Sequence, residues 1–215
     1  MSSETNRERF AGRGSKPVIG LIGAIGAGKS TAARCFAARG GFVIEADAIG
    51  HEALRQPEII RRLVELWGDG IRKPDGSLDR RAIGAVVFAD PAQRAALERL
   101  VFPFIGQRCR DEVLKAKANP EIPFIVLDAA VLLEAGWDGN VDHVVYVDAP
   151  RALRLTRLAA RSGWTDAELN AREAAQWPPE RKKARADMVI VNDSGTEQLQ
   201  EQVDRVIAWL KSMPE

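Results

Sequence analysis

Eight residues constrain this chain more than any others: Gly23-Ala24-Ile25-Gly26-Ala27-Gly28-Lys29-Ser30. They fit G-x-x-x-x-G-K-[ST], with an apolar run, Val18-Ile19-Gly20-Leu21-Ile22, before them and a helical pattern from Thr31 to Ala38 after them. Strand, glycine loop, helix is the setting in which that spelling holds phosphate. Glycines let the backbone curl so that several N–H groups converge on one anion, and the positive end of the following helix adds to the attraction. The motif assigns phosphate contact to Gly26, Ala27, Gly28 and Lys29, with Thr31 in the first helical turn. It assigns a Mg²⁺-ligating hydroxyl to Ser30.

Four more short apolar runs are predicted as strands: Phe42-Val43-Ile44, Phe124-Ile125-Val126-Leu127, Val144-Val145-Tyr146-Val147 and Met188-Val189-Ile190-Val191. They are rich in β-branched residues and lack polar alternation, which suits parallel strands covered on both faces. Helical patterns lie between them. Asp90-Pro91 reads as a helix start, and Leu97, Leu100, Val101, Phe104 and Ile105 follow at helical spacing. Thr165-Asp166-Ala167-Glu168 and Ser194-Gly195-Thr196-Glu197 both read as capping boxes. The expected fold is a three-layer α/β/α P-loop NTPase fold with a parallel sheet.

About eighty residues separate the second strand from the third, far more than one crossover needs. Pro57 to Trp67, Leu78 to Phe88 and Pro91 to Lys117 are helical by pattern. The chain therefore reads as a nucleotide-binding core (17–56, 120–150 and 186–215), a helical acceptor insertion (57–119) and a lid (151–185). Residues 1–16, polar and rich in Gly, Ser and Arg, read as a mobile tail. Lys plus Arg number 31 and Asp plus Glu 30, a balance that argues against general adhesion to nucleic acid or membrane. No apolar run is long enough to span a bilayer and the N-terminus lacks a signal core, so the expected location is the cytoplasm. Cys35 and Cys109 lie in helical patterns without metal spacing and read as buried apolar residues.

A P-loop is shared by GTPases, motors and kinases. No [NT]-K-x-D segment for guanine occurs, and the D-x-x-G match at Asp47-Ala48-Ile49-Gly50 is too short to count. Asp128 closes an apolar strand, the position from which a carboxylate holds Mg²⁺. Ala129 follows it, where many hydrolytic ATPases have a water-activating Glu. What remains is a small-molecule kinase. Glu45 and Asp47 stand just past the second strand, where a carboxylate can take a proton from an acceptor hydroxyl; capping a helix is the other reading of Asp47. Arg154, Arg157 and Arg161 share one helical stripe, followed by Arg172, Arg181, Lys182, Lys183 and Arg185. Guanidiniums so placed suit a closing lid that pairs with phosphate oxygens, against the plainer reading of a solvated basic face.

From Val18 to about Leu210 the chain resembles the dephospho-CoA kinase family. The landmarks are the loop 23–31, Val43-Ile44-Glu45-Ala46-Asp47, Leu78-Asp79-Arg80-Arg81 with Val87-Phe88, Leu97-Glu98-Arg99-Leu100, and Leu127-Asp128 with Leu132-Leu133-Glu134. Later come Arg157 and Arg161, Arg172 with Gln176, Lys182 or Lys183, Ala186-Asp187 and Asn192. The resemblance implies phosphorylation of the ribose 3′-hydroxyl of dephospho-CoA by ATP and Mg²⁺. It gives Asp47 as base, Lys29, Arg157 and Arg161 as catalytic cations, Asn192 at the nucleotide, and Ser30 and Asp128 at the metal. The small-molecule partners are then ATP and dephospho-CoA. Where the family usually has Asp, His, Pro, Gly and Ser, this chain has Glu45, Phe102, Ala130, Ala24 and Ala27. Ala24 is expected to sit uneasily at a loop position that favours positive φ. A catalytically weak paralogue that binds nucleotide or CoA as a sensor or interaction module, and a kinase of another nucleoside-like acceptor, are the alternatives.

Overall fold

The β-branched runs form one parallel five-stranded sheet among residues 16–213, which are the residues that the computed structural model describes. The strands are β1 (Val18–Gly23), β2 (Phe42–Glu45), β3 (Ile125–Asp128), β4 (His143–Asp148) and β5 (Met188–Val191). Their order is β2-β3-β1-β4-β5, and every neighbouring pair is parallel. β1 and β3 are buried along their whole length, which explains why they lack polar alternation, Asp128 at the end of β3 apart. β1 sits at the centre. The chain leaving it turns toward β2, whereas the chain leaving β3 crosses to β4 on the other side. The crevice at the carboxyl end of β1 is therefore the switch point at which α/β sheets take ligands.

Aspartates finish the ladder at its amino edge. Asp142 accepts from the Val18 N–H and Asp187 from the Val144 N–H, each at 2.8 Å. Burying those strand ends would otherwise strand two donors. At the far edge, the Gln202 side chain bonds both the N–H and the C=O of Val191, at 2.8 and 2.7 Å. An amide there occupies the groups that would invite another strand.

The helices are α1 (Lys29–Ala37), α2 (Ala46–Ala53), α3 (Pro57–Trp67), α4 (Arg80–Ala89), α5 (Pro91–Ala118), α6 (Arg151–Ser162), α7 (Asp166–Glu173), α8 (Pro179–Lys183) and α9 (Thr196–Ser212). The Asp90-Pro91 start holds: Asp90 accepts from Ala92 N at 2.7 Å. The Thr165 box is complete, with Thr165 and Glu168 each capping the other's backbone. The Ser194 box does not form. Gly195 is the N-cap of α9 and no side chain caps it, while Ser194 turns to Asp193. The helix starts one residue later than a box requires, so Glu197 is not at the third helical position.

The chain divides into two compact units, one of Met1–Glu45 with Glu112–Glu215 and one of Ala46–Asp111. The first holds the sheet. The second holds α2, α3, α4 and most of α5, around Ile49, Leu63, Ile71, Ile83, Val101 and Ile105. α3 shows how such a helix is written: Ile59 and Leu63 are buried, while Glu58, Arg61, Arg62 and Glu65 pair on the open face. Asp79 caps α4 through Arg81 N at 2.8 Å. Half-buried Phe102 precedes Pro103, which lies inside α5. Cys35 and Cys109 are free and buried. The stretch read as a tail lies outside the described residues except for Lys16.

Candidate active site

The glycine loop joins β1 to α1, and its shape follows from what surrounds it. Gly26 and Gly28 adopt φ of 79° and 91°, the left-handed region that only glycine enters without strain. A Cβ on Gly26 would lie 3.0 Å from Leu158 Cγ, and one on Gly28 would collide with the Asn192 amide. Ala24 is not among the positive-φ residues, so the strain expected there is absent. The turn is made entirely by the two later glycines, and an alanine fits before them.

The loop's carbonyls are tied down from outside. Arg154 Nη1 donates to Ile25 O at 2.9 Å, and Asn192 Nδ2 donates to Ala27 O at 2.8 Å. In a trans peptide the N–H points opposite to the C=O. Holding these two carbonyls therefore aims the N–H groups of Gly26 and Gly28 the other way. The Lys29 and Ser30 amides, in the first turn of α1, have no intrahelical partner either. The result is a run of donors at a positive helix end, which is an anion site by construction.

Charged groups complete it. Lys29 Nζ pairs with Asp128 at the end of β3. The partner comes from a strand ninety-nine positions away, outside any local motif. Asp128 is only 6% exposed, and Glu45 stands beside it in register on β2. Ser30 is exposed at the start of α1, and Thr31 accepts from Arg34 at 3.2 Å. Arg157 lies next to the loop: its Nη1 would be 3.9 Å from a Cβ on Gly28. That nitrogen is buried without a hydrogen-bond partner among the described residues.

The arginine stripe splits along its length. Arg154 is 5% exposed and bonds Ile25, Ala149 and Glu173, so it does not reach for phosphate as the stripe suggested. Its place on the helix faces the core. Arg157 is half-buried, and Arg161 is exposed in the last turn of α6. The later cations are mostly engaged too. Lys182 pairs with Glu134 at 2.8 Å, Lys183 with Asp148 at 2.7 Å and Arg185 with Asp138 at 3.2 Å. Arg172 and Arg181 stack on Trp164 and Trp177, at 4.1 and 3.5 Å from the ring centroids. Glu173 and the two tryptophans had no motif to mark them. Asp47 is exposed in the first turn of α2, in the unit Ala46–Asp111. It lies inside that helix and is not its N-cap. The D-x-x-G match at Asp47 is helix, not a switch loop.

Tyr146 is fully buried in β4. Burial pushes its phenol up to about 12, so it stays protonated at neutral pH.

A parallel sheet ordered 2-3-1-4-5 with this glycine loop at the carboxyl end of its central strand makes the chain a P-loop nucleotide-binding protein. Solved structures agree on the fold: a shikimate kinase from Acinetobacter baumannii superposes with a TM-score of 0.52 at 16% identity, covering 96% of this chain and 97% of that one. The dephospho-CoA kinase family model matches residues 17–198, and the chain belongs to that family. The dephospho-CoA kinase of Anaeromyxobacter dehalogenans is 40% identical over 195 residues, 90% of this chain and 92% of that one. That of Geobacter sulfurreducens is 36% identical over 198 residues, 92% and 99% of the two chains. A crystal structure of a Thermus thermophilus protein superposes with a TM-score of 0.78 at 35% identity, covering 91% and 98%.

Proposed function

We propose that the chain transfers the γ-phosphoryl group of ATP to the ribose 3′-hydroxyl of dephospho-CoA, in the cytoplasm. The observation that carries the donor half is the orphaned Arg157 Nη1 beside the Gly28 turn: a buried, unpaired guanidinium nitrogen is costly unless an anion joins it. Family membership carries the acceptor half.

The loop amides and Lys29 bind the phosphate chain of ATP. Asn192 acts through the Ala27 carbonyl, fixing the turn that aims Gly28 N–H. Arg157 and Arg161, four apart on α6, hold the transferring group, whose charge is spread over three oxygens and suits a planar fork. Asp47 orients the 3′-hydroxyl and takes its proton as the oxygen attacks phosphorus. Ser30 and Asp128 carry the hard oxygen donors that Mg²⁺ prefers and would hold the ion, with Lys29 giving up its contact to Asp128 for the phosphates. Bound there, Mg²⁺ would neutralise charge on the β- and γ-phosphate oxygens. The insertion 57–119 holds the acceptor, and 151–185 closes over the donor.

Purified protein given ATP, Mg²⁺ and dephospho-CoA is expected to yield ADP and CoA. Lys29→Ala should cut kcat by roughly 10²-fold or more, and Asp47→Asn by roughly 10²–10⁴-fold with ATP affinity little changed. Turnover with dephospho-CoA at background level, with another nucleoside-like alcohol consumed instead, would replace the acceptor. ADP binding without turnover of any acceptor would make the chain a binding module.

A further inference from the structure

We propose that Arg154 is a positioning residue that links the phosphate loop to α7 through Glu173. This inference rests on the donor nucleotide occupying the loop, as read above. It starts from a side chain that the sequence placed among phosphate-binding cations and that the fold removes from solvent.

Arg154 Nη1 makes two hydrogen bonds at once: to Ile25 O at 2.9 Å and to Glu173 Oε1 at 2.5 Å. Its Nε donates to Ala149 O at 3.2 Å. One guanidinium thus joins the residue after β4, the glycine loop and the last residue of α7. Glu173 is also met by Arg151 Nε at 3.9 Å, and Arg151 in turn bonds Asp166 and Asn170 of the same helix.

Two consequences follow. The first is local. The Ile25 carbonyl is held away from the crevice, so Gly26 N–H faces into it. Without the guanidinium, that peptide could rotate and present oxygen to phosphate. The second is longer in reach. Glu173 directly follows Arg172, so whatever fixes Glu173 fixes where Arg172 begins. A nucleotide that settles the loop must therefore steady α7 as well, because both ends share one planar ion. Coupling of this kind is reciprocal and its size is set by the shared contact. Arginine suits the task because its donors are fixed relative to one another; a lysine would meet one acceptor or the other as a point charge.

The experiment uses the full chain, ADP and Mg²⁺ without acceptor, so the identity of the phosphorylated alcohol does not enter the result. Hydrogen exchange is followed at 24–28 and at 166–173, and ADP affinity is measured by calorimetry. In the wild type both segments should gain protection together on ADP binding. Arg154→Met should weaken ADP binding about tenfold, within the usual range of site-to-site coupling, and abolish the gain at 166–173. Glu173→Ala leaves the Ile25 contact in place. It should keep ADP affinity within about twofold of wild type while losing the 166–173 gain. Thermal melts check that each variant is folded, and Glu173→Ala carries the test if Arg154→Met is not. A full 166–173 response in folded Glu173→Ala, or wild-type ADP affinity in folded Arg154→Met, overturns the proposal.

Discussion

Single side chains in this protein do different work from what their type suggests, and Lys182 is the clearest case. It is 2% exposed, and its ammonium has three partners at 2.8 Å: Ala130 O, Gln176 Oε1 and Glu134 Oε1. Burial outweighs the attraction of Glu134 and holds it below the ordinary lysine range. The ammonium ties the segment after β3 to α8, where sequence spacing offered it as one more cation for phosphate. Glu134 also accepts from Trp177 N at 3.0 Å and keeps one buried oxygen unpartnered among the described residues. Lys182→Met should destabilise the protein by about 3–5 kcal/mol in urea unfolding, since it strands the Glu134 carboxylate. Adding Glu134→Leu should restore most of that loss, because an apolar pair can replace a buried ion pair at little cost. A double variant as unstable as the single would mean that the loss comes from the stranded Ala130 and Gln176 oxygens and the Trp177 N–H, and not from the Glu134 charge.

Among the elements, α7 depends most on a local device. Thr165 and Glu168 cap its first turn, and Asp166 bonds Arg151. The hydrogen bonds from Thr165 N and the Thr165 hydroxyl hold the Glu168 carboxyl below the usual range, and Arg151 does the same for Asp166. A lowered folded-state pKa gives stability that is present above the unfolded value and lost as pH falls through the folded one. Amide protection factors at 166–173 should therefore drop once pH passes below about 4, ahead of those in β1 and β3. Glu168→Gln keeps an N3 acceptor for the box and should flatten much of that step. If the step persists unchanged in Glu168→Gln, the Asp166–Arg151 pair is its source. Both boxes had the right spelling; only the Thr165 one formed, since α9 begins at Thr196 with Gly195 as its N-cap. Spelling names a cap, and packing of the helix decides which turn comes first.

At the scale of the whole molecule, two ligands test the division of labour between its parts. An ATP analogue should protect amides at 23–30 and 151–185, and dephospho-CoA should protect amides within 46–111. Dephospho-CoA protecting only the sheet-bearing unit would remove the acceptor role from 57–119. The sequence by itself determined the strands, the glycine loop and the arginine helix, because each is written in a window of ten or so residues, and the family, because its landmarks recur in order along most of the chain. Periodicity and turn chemistry are local, so they are legible there. The tertiary structure alone decided that Lys29 meets Asp128, that Asn192 grips Ala27, that Arg154 is spent on Ile25 and Glu173, and that Ala24 escapes strain. It also drew the compact units as Met1–Glu45 with Glu112–Glu215 and Ala46–Asp111. Those choices depend on which face of a helix turns inward and which distant carbonyl or carboxylate waits there. No local window holds both partners, and a buried polar group takes whichever partner the packing brings within hydrogen-bond reach.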